Sequence, residues 1–216
     1  MTSRPPLYGP GQSAFARYLE RRELRRPDLV AREHRRRLLA GLRGRVIEVG
    51  CGDGRAFGLY PSAVTRVLAV EPDPMARAVA TERARAAPVP IEVVGGVASA
   101  LPAEDGAFDA AVVVWVLCSV PDQPAALAEL RRVLAPAGEL RFYEHVRSGH
   151  AAFRALQGAA DSLFWTRALG GCRTTRDTLA AIRTAGFRVV ALDRGFHSSS
   201  PLTVTSAPYV LGVARA

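Results

Sequence analysis

The sequence contains no lysine, so arginine supplies all 29 of its basic residues. The formal net charge is +9, and many of the arginines fall between residues 17 and 45. A basic surface can attract nucleic acid, an anionic membrane or acidic substrates. A charge run alone is weak support for such a partner, and exclusive use of arginine is also what a GC-rich genome produces. The solvated face of a helix is therefore the favoured interpretation.

Cysteine is scarce, and long apolar runs are missing. The three cysteines, Cys51, Cys118 and Cys172, are far apart and form no C-x-x-C pair. This spacing favours neither a zinc knuckle nor a disulfide framework, so we expect no metal and a reduced, cytoplasmic compartment. No stretch has the length and apolar character of a transmembrane segment, and no signal peptide is visible.

Aromatic residues make up 7% of the 216 residues, while hydrophobic residues make up 49%. This composition favours one α/β domain with a core of small side chains over an aromatic-rich sandwich.

The pattern of residues 13–42 predicts helical structure broken near Pro27. We therefore expect an N-terminal helical cap or lid over residues 1–42, followed by one domain over residues 43–216.

From residue 43 onward, apolar runs typical of strands alternate with patterns typical of helices. The predicted strands are residues 45–49, 65–70, 91–94, 108–114, 139–144, 187–192 and 209–215. The predicted helices begin after residue 54 and cover residues 73–86, 124–134, 151–169 and 175–185. Alternation of this kind predicts a parallel sheet with helices on both faces.

The strongest motif is the turn after the first predicted strand, in which Gly50, Gly52 and Gly54 occupy alternate positions. Glycine allows a sharp turn and lets a ligand approach the backbone without a Cβ in the way. A helix after the turn would offer free N–H groups and the positive end of its dipole. In open α/β sheets, ligands bind at the carboxyl ends of the strands. The turn therefore predicts a cofactor site.

A carboxylate directly after the second strand, Glu71, supports a nucleoside ligand. It follows the glycines by about 20 residues, which suits hydrogen bonds to ribose hydroxyls. The dinucleotide fingerprint requires glycine or alanine at the position that Arg55 occupies here. The acidic Glu48 inside the first strand is also unusual for dinucleotide-binding proteins. Both residues argue against that class.

Several motifs together resemble the class I methyltransferases. The glycine run at 48–54, Glu71, residues 101–102 and residues 108–109 carry this resemblance. Four further motifs, at residues 117–120, 130–134, 143–146 and 171–176, are similar to the thiol S-methyltransferase branch, the methyltransferase-like proteins of the endoplasmic reticulum and their bacterial relatives. The resemblance implies a Rossmann-like seven-stranded sheet of order 3-2-1-4-5-7-6 with an antiparallel strand 7. It also implies S-adenosylmethionine as cofactor and S-adenosylhomocysteine as product.

The resemblance also implies which residues hold the cofactor. The glycine turn would surround the methionine part, Glu71 would hold the ribose, and Val97 and Ala98 would lie along the adenine. Val97 replaces an aspartate found in many relatives, so a backbone group would contact the adenine amine here. The full predicted set is Glu48, Gly50, Cys51, Gly52, Gly54, Glu71, Pro72, Val97, Ala98 and Val114.

The acceptor pocket is expected after strands 4 and 5 and beneath the helical insert. Catalysis is assigned to His145 and Glu144 at the end of strand 5, with His145 as a candidate proton acceptor. Each candidate also has a structural interpretation, such as a buried apolar cysteine or an aromatic side chain in the core. The expected pocket residues are Leu117, Cys118, Trp165, Cys172 and Arg173.

The resemblance to the thiol branch implies S-methylation of a small-molecule thiol by in-line methyl transfer. A small-molecule O-, N- or C-methyltransferase of secondary or quinone metabolism is the alternative, because the cofactor motif fits either. A nucleic-acid methyltransferase is less favoured, since Val114-Trp115-Val116-Leu117 stands where an Asn-Pro-Pro-Tyr tetrad would be. A cofactor-binding protein without catalytic activity also stays open, as does the oligomeric state. No nucleic-acid partner and no membrane anchor are expected.

Overall fold

A computed structural model describes residues 28–168 and 170–216 of the chain. Seven strands and five main helices alternate along it. The strands are β1 (Gly44–Val49), β2 (Val64–Val70), β3 (Ile91–Val94), β4 (Phe108–Val114), β5 (Leu134–His145), β6 (Arg188–Phe196) and β7 (Pro208–Arg215). The helices are α1 (Leu29–Leu39), α2 (Pro74–Ala84), α3 (Gln123–Val133), α4 (Ala151–Ala160) and α5 (Thr178–Thr184).

All seven strands form one sheet in the order β3-β2-β1-β4-β5-β7-β6. Strands β1 to β5 run parallel to one another, whereas β7 runs antiparallel to both β5 and β6. The predicted strand order and the antiparallel strand 7 are confirmed. Because β1 and β4 lie at the centre, the loops after them meet at one edge of the sheet, where parallel α/β folds bind ligands.

Each face of the sheet is covered by its own apolar core. On one face, Ile47 and Val113 pack with side chains of α3 and α5, among them Leu130 and Ile182. On the other face, Val46 and Val112 pack with Leu38, Leu39 and Leu42 from α1 and the turn after it, and with Phe57 and Ala80. Burial on both faces explains the unbroken apolar runs of the central strands.

Helix α1 is fixed to the sheet by polar contacts as well as by its leucines. Asp28 caps the helix by accepting the Ala31 N–H at 2.9 Å, and one of its oxygens lies 2.9 Å from Nε2 of His197. The guanidinium of Arg141 on β5 donates to the carbonyl of Leu38 at 2.8 Å. Residues 28–42 thus pack on the β1–β4–β5 region. The remainder of the predicted cap or lid, residues 1–27, lies outside the described residues.

One predicted element is wrong. The sequence predicted a helix directly after the glycine turn, but only a single turn of 3-10 helix, Phe57–Leu59, follows it. Tyr60 is extended, with φ −66° and ψ 131°, as the residue before a proline prefers, and Pro61 then ends the segment. The predicted helix dipole is therefore not available at this turn.

Two other segments differ from simple expectation. The insert predicted as one or two helices is α4, which continues through a π-helical segment, Asp161–Trp165, into a last turn at Thr166–Ala168. Strand β5 is longer than predicted because it includes the turn near Ala137. Ala137 adopts φ +64°, the left-handed conformation that favours glycine.

Candidate active site

The glycine turn has the backbone conformation that its sequence requires. Gly50, Gly52 and Gly54 have φ values of +69°, +57° and +77°. A Cβ on Gly50 would collide with Val116 and one on Gly54 with Phe57, whereas a Cβ on Gly52 would meet no described atom within 4 Å. Two of the glycines are thus required by packing. The third leaves open space above the turn, which fits a ligand close to the backbone.

Glu71 is attached directly to this turn. Its two carboxylate oxygens accept the N–H of Gly52 at 2.9 Å and the N–H of Asp73 at 3.0 Å. The carboxylate therefore links the end of β2 to the loop after β1, in the position predicted for a ribose contact. Arg77 donates to the Glu71 carbonyl at 2.9 Å and holds the same segment from α2.

Two acidic residues next to the glycines are buried. Tyr60 donates to the Glu48 carboxylate at 2.7 Å, and burial raises the pKa of Glu48 from 4.5 to about 7. Asp53 makes ion pairs with Arg83 at 2.6 Å and with Arg55 at 3.0 Å. Burial also raises the pKa of the Cys51 thiol far above its usual value, so this thiol is not a nucleophile at neutral pH.

The other predicted cofactor residues lie along the edge of the sheet. Val97 is 49% exposed in the loop after β3, and its neighbour Ala98 is buried. Pro72 is exposed beside Glu71, and Val114 is half-buried at the end of β4. All four positions are at the carboxyl ends of parallel strands, on the same side of the sheet as the glycine turn.

Glu144 shapes the loop after β4. Its fully buried carboxylate accepts three backbone N–H groups, from Val116 at 2.9 Å, Leu117 at 3.1 Å and Cys118 at 3.0 Å. Desolvation raises the pKa of this carboxyl, and the three N–H donors counteract that rise. Both oxygens are occupied by the loop, so Glu144 is best described as a positioning residue.

The same loop starts with an unusual backbone conformation. Trp115 has φ +59°, one of two described non-glycine residues with positive φ. Its indole stacks on the imidazole of His145, with ring centroids 5.3 Å apart and planes 11° apart. The guanidinium carbon of Arg35, on α1, lies 4.6 Å from the indole centroid. Backbone strain of this kind persists where surrounding contacts enforce it, and it is common at functional sites.

Three of the predicted site residues come together beside this stack. The sulfur of Cys118 lies 3.7 Å from the sulfur of Cys172, and Nδ1 of His145 lies 3.7 Å and 3.6 Å from these two sulfurs. Both cysteines are buried and form no disulfide, and the Cys172 thiol donates a hydrogen bond to the Cys118 sulfur. The contact with Cys172, together with burial, raises the pKa of Cys118 well above the usual range.

The loop that carries Cys172 is held against the loop that carries Cys118. The Arg173 N–H donates to the Cys118 carbonyl at 2.8 Å, and the Arg176 guanidinium donates to the Leu117 carbonyl at 2.7 Å. Asp161, in the π-helical segment, accepts the backbone N–H groups of Thr174 and Thr175 at 3.1 and 3.0 Å. The helical insert thus fixes the loop that carries Cys172.

The remaining predicted pocket residues differ in position. Trp165 is fully buried and packs in the same apolar cluster as the two cysteines. The Arg173 side chain is exposed, so the backbone of this residue contributes more to the pocket than its charge. Leu117 is buried in the core on the α3 side of the sheet.

Comparison with known proteins identifies the family. Residues 47–142 match the family model described as a methyltransferase domain. Human thiol S-methyltransferase TMT1B is 31% identical over 187 residues, which cover 82% of this chain and 73% of that protein. Human thiol S-methyltransferase TMT1A is 31% identical over 177 residues, which cover 78% of this chain and 69% of that protein. The chain belongs to this methyltransferase family.

Solved structures show the same fold in other methyltransferases. A protein of Thermotoga maritima described as an S-adenosylmethionine-dependent methyltransferase, possibly a histamine N-methyltransferase, superposes with a TM-score of 0.66 at 24% identity over 93% of this chain and 97% of its own. A geranyl diphosphate methyltransferase gives 0.66 at 17% identity, covering 97% and 93%. These likenesses show the fold. S-adenosylmethionine is the cofactor implied by the methyltransferase family to which the chain belongs. Within residues 28–168 and 170–216, no helix is long and apolar enough to cross a membrane.

Several residues that shape the site of this methyltransferase escaped the sequence analysis. Trp115 carried a weak signal, since it follows a predicted strand at its ligand end. Asp161 and Gln157 carried none, because their partners are remote in sequence. The Gln157 amide donates to the carbonyls of Thr174 and Thr205, at 3.1 and 2.9 Å. Only the folded chain shows that Gln157 is buried and that both side chains hold the loop that carries Cys172.

Proposed function

We propose that this methyltransferase transfers the methyl group of S-adenosylmethionine to the sulfur of a small apolar thiol. The observation that carries the proposal is the contact between the glycine turn and the loop after β4. Gly50 packs directly on Val116, and Cys118 is two residues further along that loop. A cofactor on the turn and an acceptor beside Cys118 would thus be neighbours. The two human relatives named thiol S-methyltransferases favour sulfur as the accepting atom.

In this proposal the ends of β1 to β4 hold the cofactor. Gly50, Cys51, Gly52 and Gly54 surround the methionine part, where the space above Gly52 is open. Glu71 binds the ribose hydroxyls, and Pro72 lies beside it. Val97 and Ala98 line the adenine, and Glu48 and Val114 complete the floor of the site. The bound cofactor supplies an activated methyl group on a positively charged sulfur.

The acceptor would lie against the apolar cluster of Cys118, Cys172 and Trp165, beside the stack of Trp115 on His145. Burial of these groups excludes water from the acceptor sulfur, which strengthens local electrostatic interactions. A free thiol is only a few per cent ionised at neutral pH, and the thiolate is the nucleophile. The imidazole of His145 lies against the sulfurs of Cys118 and Cys172, so we place the acceptor sulfur next to it.

The proposal is tested by measuring S-adenosylhomocysteine formation with acceptors of each nucleophile class. We expect an apolar thiol to react far faster than the matched phenol, amine or activated carbon acid of similar size. Reactions without acceptor give the background rate. Efficient methylation of the phenol or amine, with thiols inert, would overturn the assignment to thiols and leave the methyltransferase family intact.

A further inference from the structure

The cluster of Cys118, Cys172 and His145 is assembled from three separate segments. Cys118 lies in the loop after β4, His145 ends β5, and Cys172 lies in the loop before α5. Within the described residues, they form a group of potential metal ligands whose atoms all lie within 4.8 Å of one another. The sulfurs are too far apart for a disulfide, in which they would be about 2.05 Å apart.

The distances in this cluster match those around a tetrahedral zinc ion. With Zn–S near 2.3 Å and Zn–N near 2.0–2.1 Å, a tetrahedron places two sulfurs about 3.8 Å apart and each sulfur about 3.6 Å from the nitrogen. The observed values are 3.7 Å between the sulfurs and 3.7 and 3.6 Å from the sulfurs to Nδ1. All three edges of one tetrahedral face are thus already formed by the side chains.

The surroundings hold these ligands in place. The backbone of Cys118 is fixed by Glu144, and that of the Cys172 loop by Asp161 and by the contact of Gly171 with the Ser119 carbonyl. The imidazole of His145 is held by its stack on Trp115. The partly buried guanidinium of Arg176 interacts electrostatically with both cysteines, which would offset the charge of two thiolates. Outer contacts of this type orient metal ligands.

From this geometry, we propose that Cys118, Cys172 and His145 bind a zinc ion whose fourth position takes the sulfur of the methyl acceptor. Two cysteines and one histidine form a known catalytic zinc set, in which the fourth position is left for substrate. The second half of the proposal, the acceptor at the metal, rests on the proposed thiol S-methylation. The first half, the metal site, stands independently of it.

The reaction balances without any further reagent. The acceptor thiol releases its proton to solvent when its sulfur coordinates the ion, because a coordinating thiol is deprotonated. A sulfur lone pair then forms the new bond to the methyl carbon, and the bond from that carbon to the cofactor sulfonium breaks. Its electron pair stays on the cofactor sulfur, which gives neutral S-adenosylhomocysteine. The product is a neutral thioether, a weaker ligand than the thiolate, and it leaves the ion.

The metal site is tested on purified full-length protein that has been freed of metal with a chelator. Cobalt(II) is added as a spectroscopic probe, followed by zinc in competition. We expect one cobalt per chain, a thiolate-to-cobalt charge-transfer band with tetrahedral visible bands, and displacement by zinc. Cys118→Ser and Cys172→Ser should each lose at least half of the charge-transfer band, whereas Cys51→Ser should keep it. Far-ultraviolet circular dichroism confirms that each variant is folded.

Measurements on the wild-type protein alone also decide whether the metal site exists. The test therefore does not depend on the variants being folded. If cobalt gives no charge-transfer band, and zinc does not protect the cysteines from a thiol reagent, the metal site is overturned. In that case, acceptor assays on the metal-free protein still judge the thiol assignment on its own.

The fourth position is tested by adding thiophenol to the cobalt-loaded protein, with phenol as the matched control. We expect thiophenol to raise the charge-transfer absorbance from that of two thiolates toward that of three, and phenol to leave it unchanged. An unchanged spectrum with thiophenol would overturn binding of the acceptor at the metal. A strong cobalt band in a protein that methylates phenols and no thiols would overturn the proposed function and leave the metal site standing.

Discussion

Gly171 lies against the carbonyl of Ser119, so close that a Cβ on Gly171 would be 2.7 Å from that oxygen. Gly171 also has φ +92°, a conformation that L side chains rarely adopt. This contact joins the loop of Cys172 to the loop of Cys118, next to the hydrogen bond from the Arg173 N–H to the Cys118 carbonyl.

The neighbouring glycine provides a matched control for this contact. Gly170 also has positive φ, +59°, but its Cβ would meet no described atom within 4 Å. Gly171→Ala adds a clash with backbone to the backbone strain, so we expect a loss of about 2–4 kcal/mol in the free energy of unfolding. Gly170→Ala should cost about 1 kcal/mol. Urea denaturation measures both, and equal losses would contradict the importance of the loop contact.

The cofactor turn can be tested with a second pair of glycines. Gly52 and Gly41 have φ of +57° and +75°, and neither Cβ would meet a described atom within 4 Å. Gly52→Ala and Gly41→Ala should therefore lose similar stability, about 1 kcal/mol each. Only Gly52→Ala should also weaken S-adenosylhomocysteine binding in calorimetry, and the larger Gly52→Val should weaken it further. Undiminished affinity in folded Gly52→Val would remove Gly52 from the site.

The ribose contact is tested at Glu71. We expect Glu71→Ala to weaken S-adenosylhomocysteine binding by about 1.5–3 kcal/mol, the range for hydrogen bonds to a charged group. Glu71→Gln keeps an acceptor oxygen for the Gly52 N–H and should lose less. Glu92→Ala removes an exposed carboxylate of β3 that pairs with Arg66, and it should leave the affinity unchanged. Calorimetry measures the S-adenosylhomocysteine affinity of the three variants. Equal affinities of Glu71→Ala and Glu92→Ala would reject Glu71 as the ribose contact.

The buried carboxyl of Glu48 predicts a pH-dependent stability in the cofactor-free protein. Its pKa is raised from 4.5 to about 7, so between these values the unfolded chain releases a proton that the folded chain retains. The contribution of Glu48 to stability is therefore full below pH 4.5 and is lost as pH rises through 7. Glu48→Gln removes this dependence. The free energy of unfolding of Glu48→Gln minus that of wild type should therefore be about 3 kcal/mol larger at about pH 8 than at about pH 4.

The hydroxyl of Tyr60 supplies an internal check on this prediction. It donates to Glu48 at 2.7 Å and lowers the pKa of the carboxyl against the effect of burial. In Tyr60→Phe the loss of stability should therefore extend to higher pH than in wild type. A difference between Glu48→Gln and wild type that stays constant across this pH range would show that the carboxyl is not protonated in the folded state.

Local patterns in the sequence were enough to locate the strands and the glycine turn. Apolar runs mark strands buried on two faces, and glycines at alternate positions mark a turn with positive φ. The order of the strands came from the resemblance to the class I methyltransferases. The prediction of a helix after the turn was wrong. Only three residues of 3-10 helix form there, because Tyr60 before Pro61 is extended.

The acceptor side of the site depends on tertiary structure. The sequence suggested Cys118 and Cys172 as separate pocket residues and His145 as a catalytic residue, with no metal among the expectations. Each of the two cysteines is 27 positions from the histidine, a spacing that matches no metal-binding motif. They meet because β4 and β5 are adjacent parallel strands that end at one edge of the sheet, and because Gly171 and Asp161 fix a third loop against them. Periodicity reports which face of an element is buried, but contacts between remote loops depend on the packing of the whole chain.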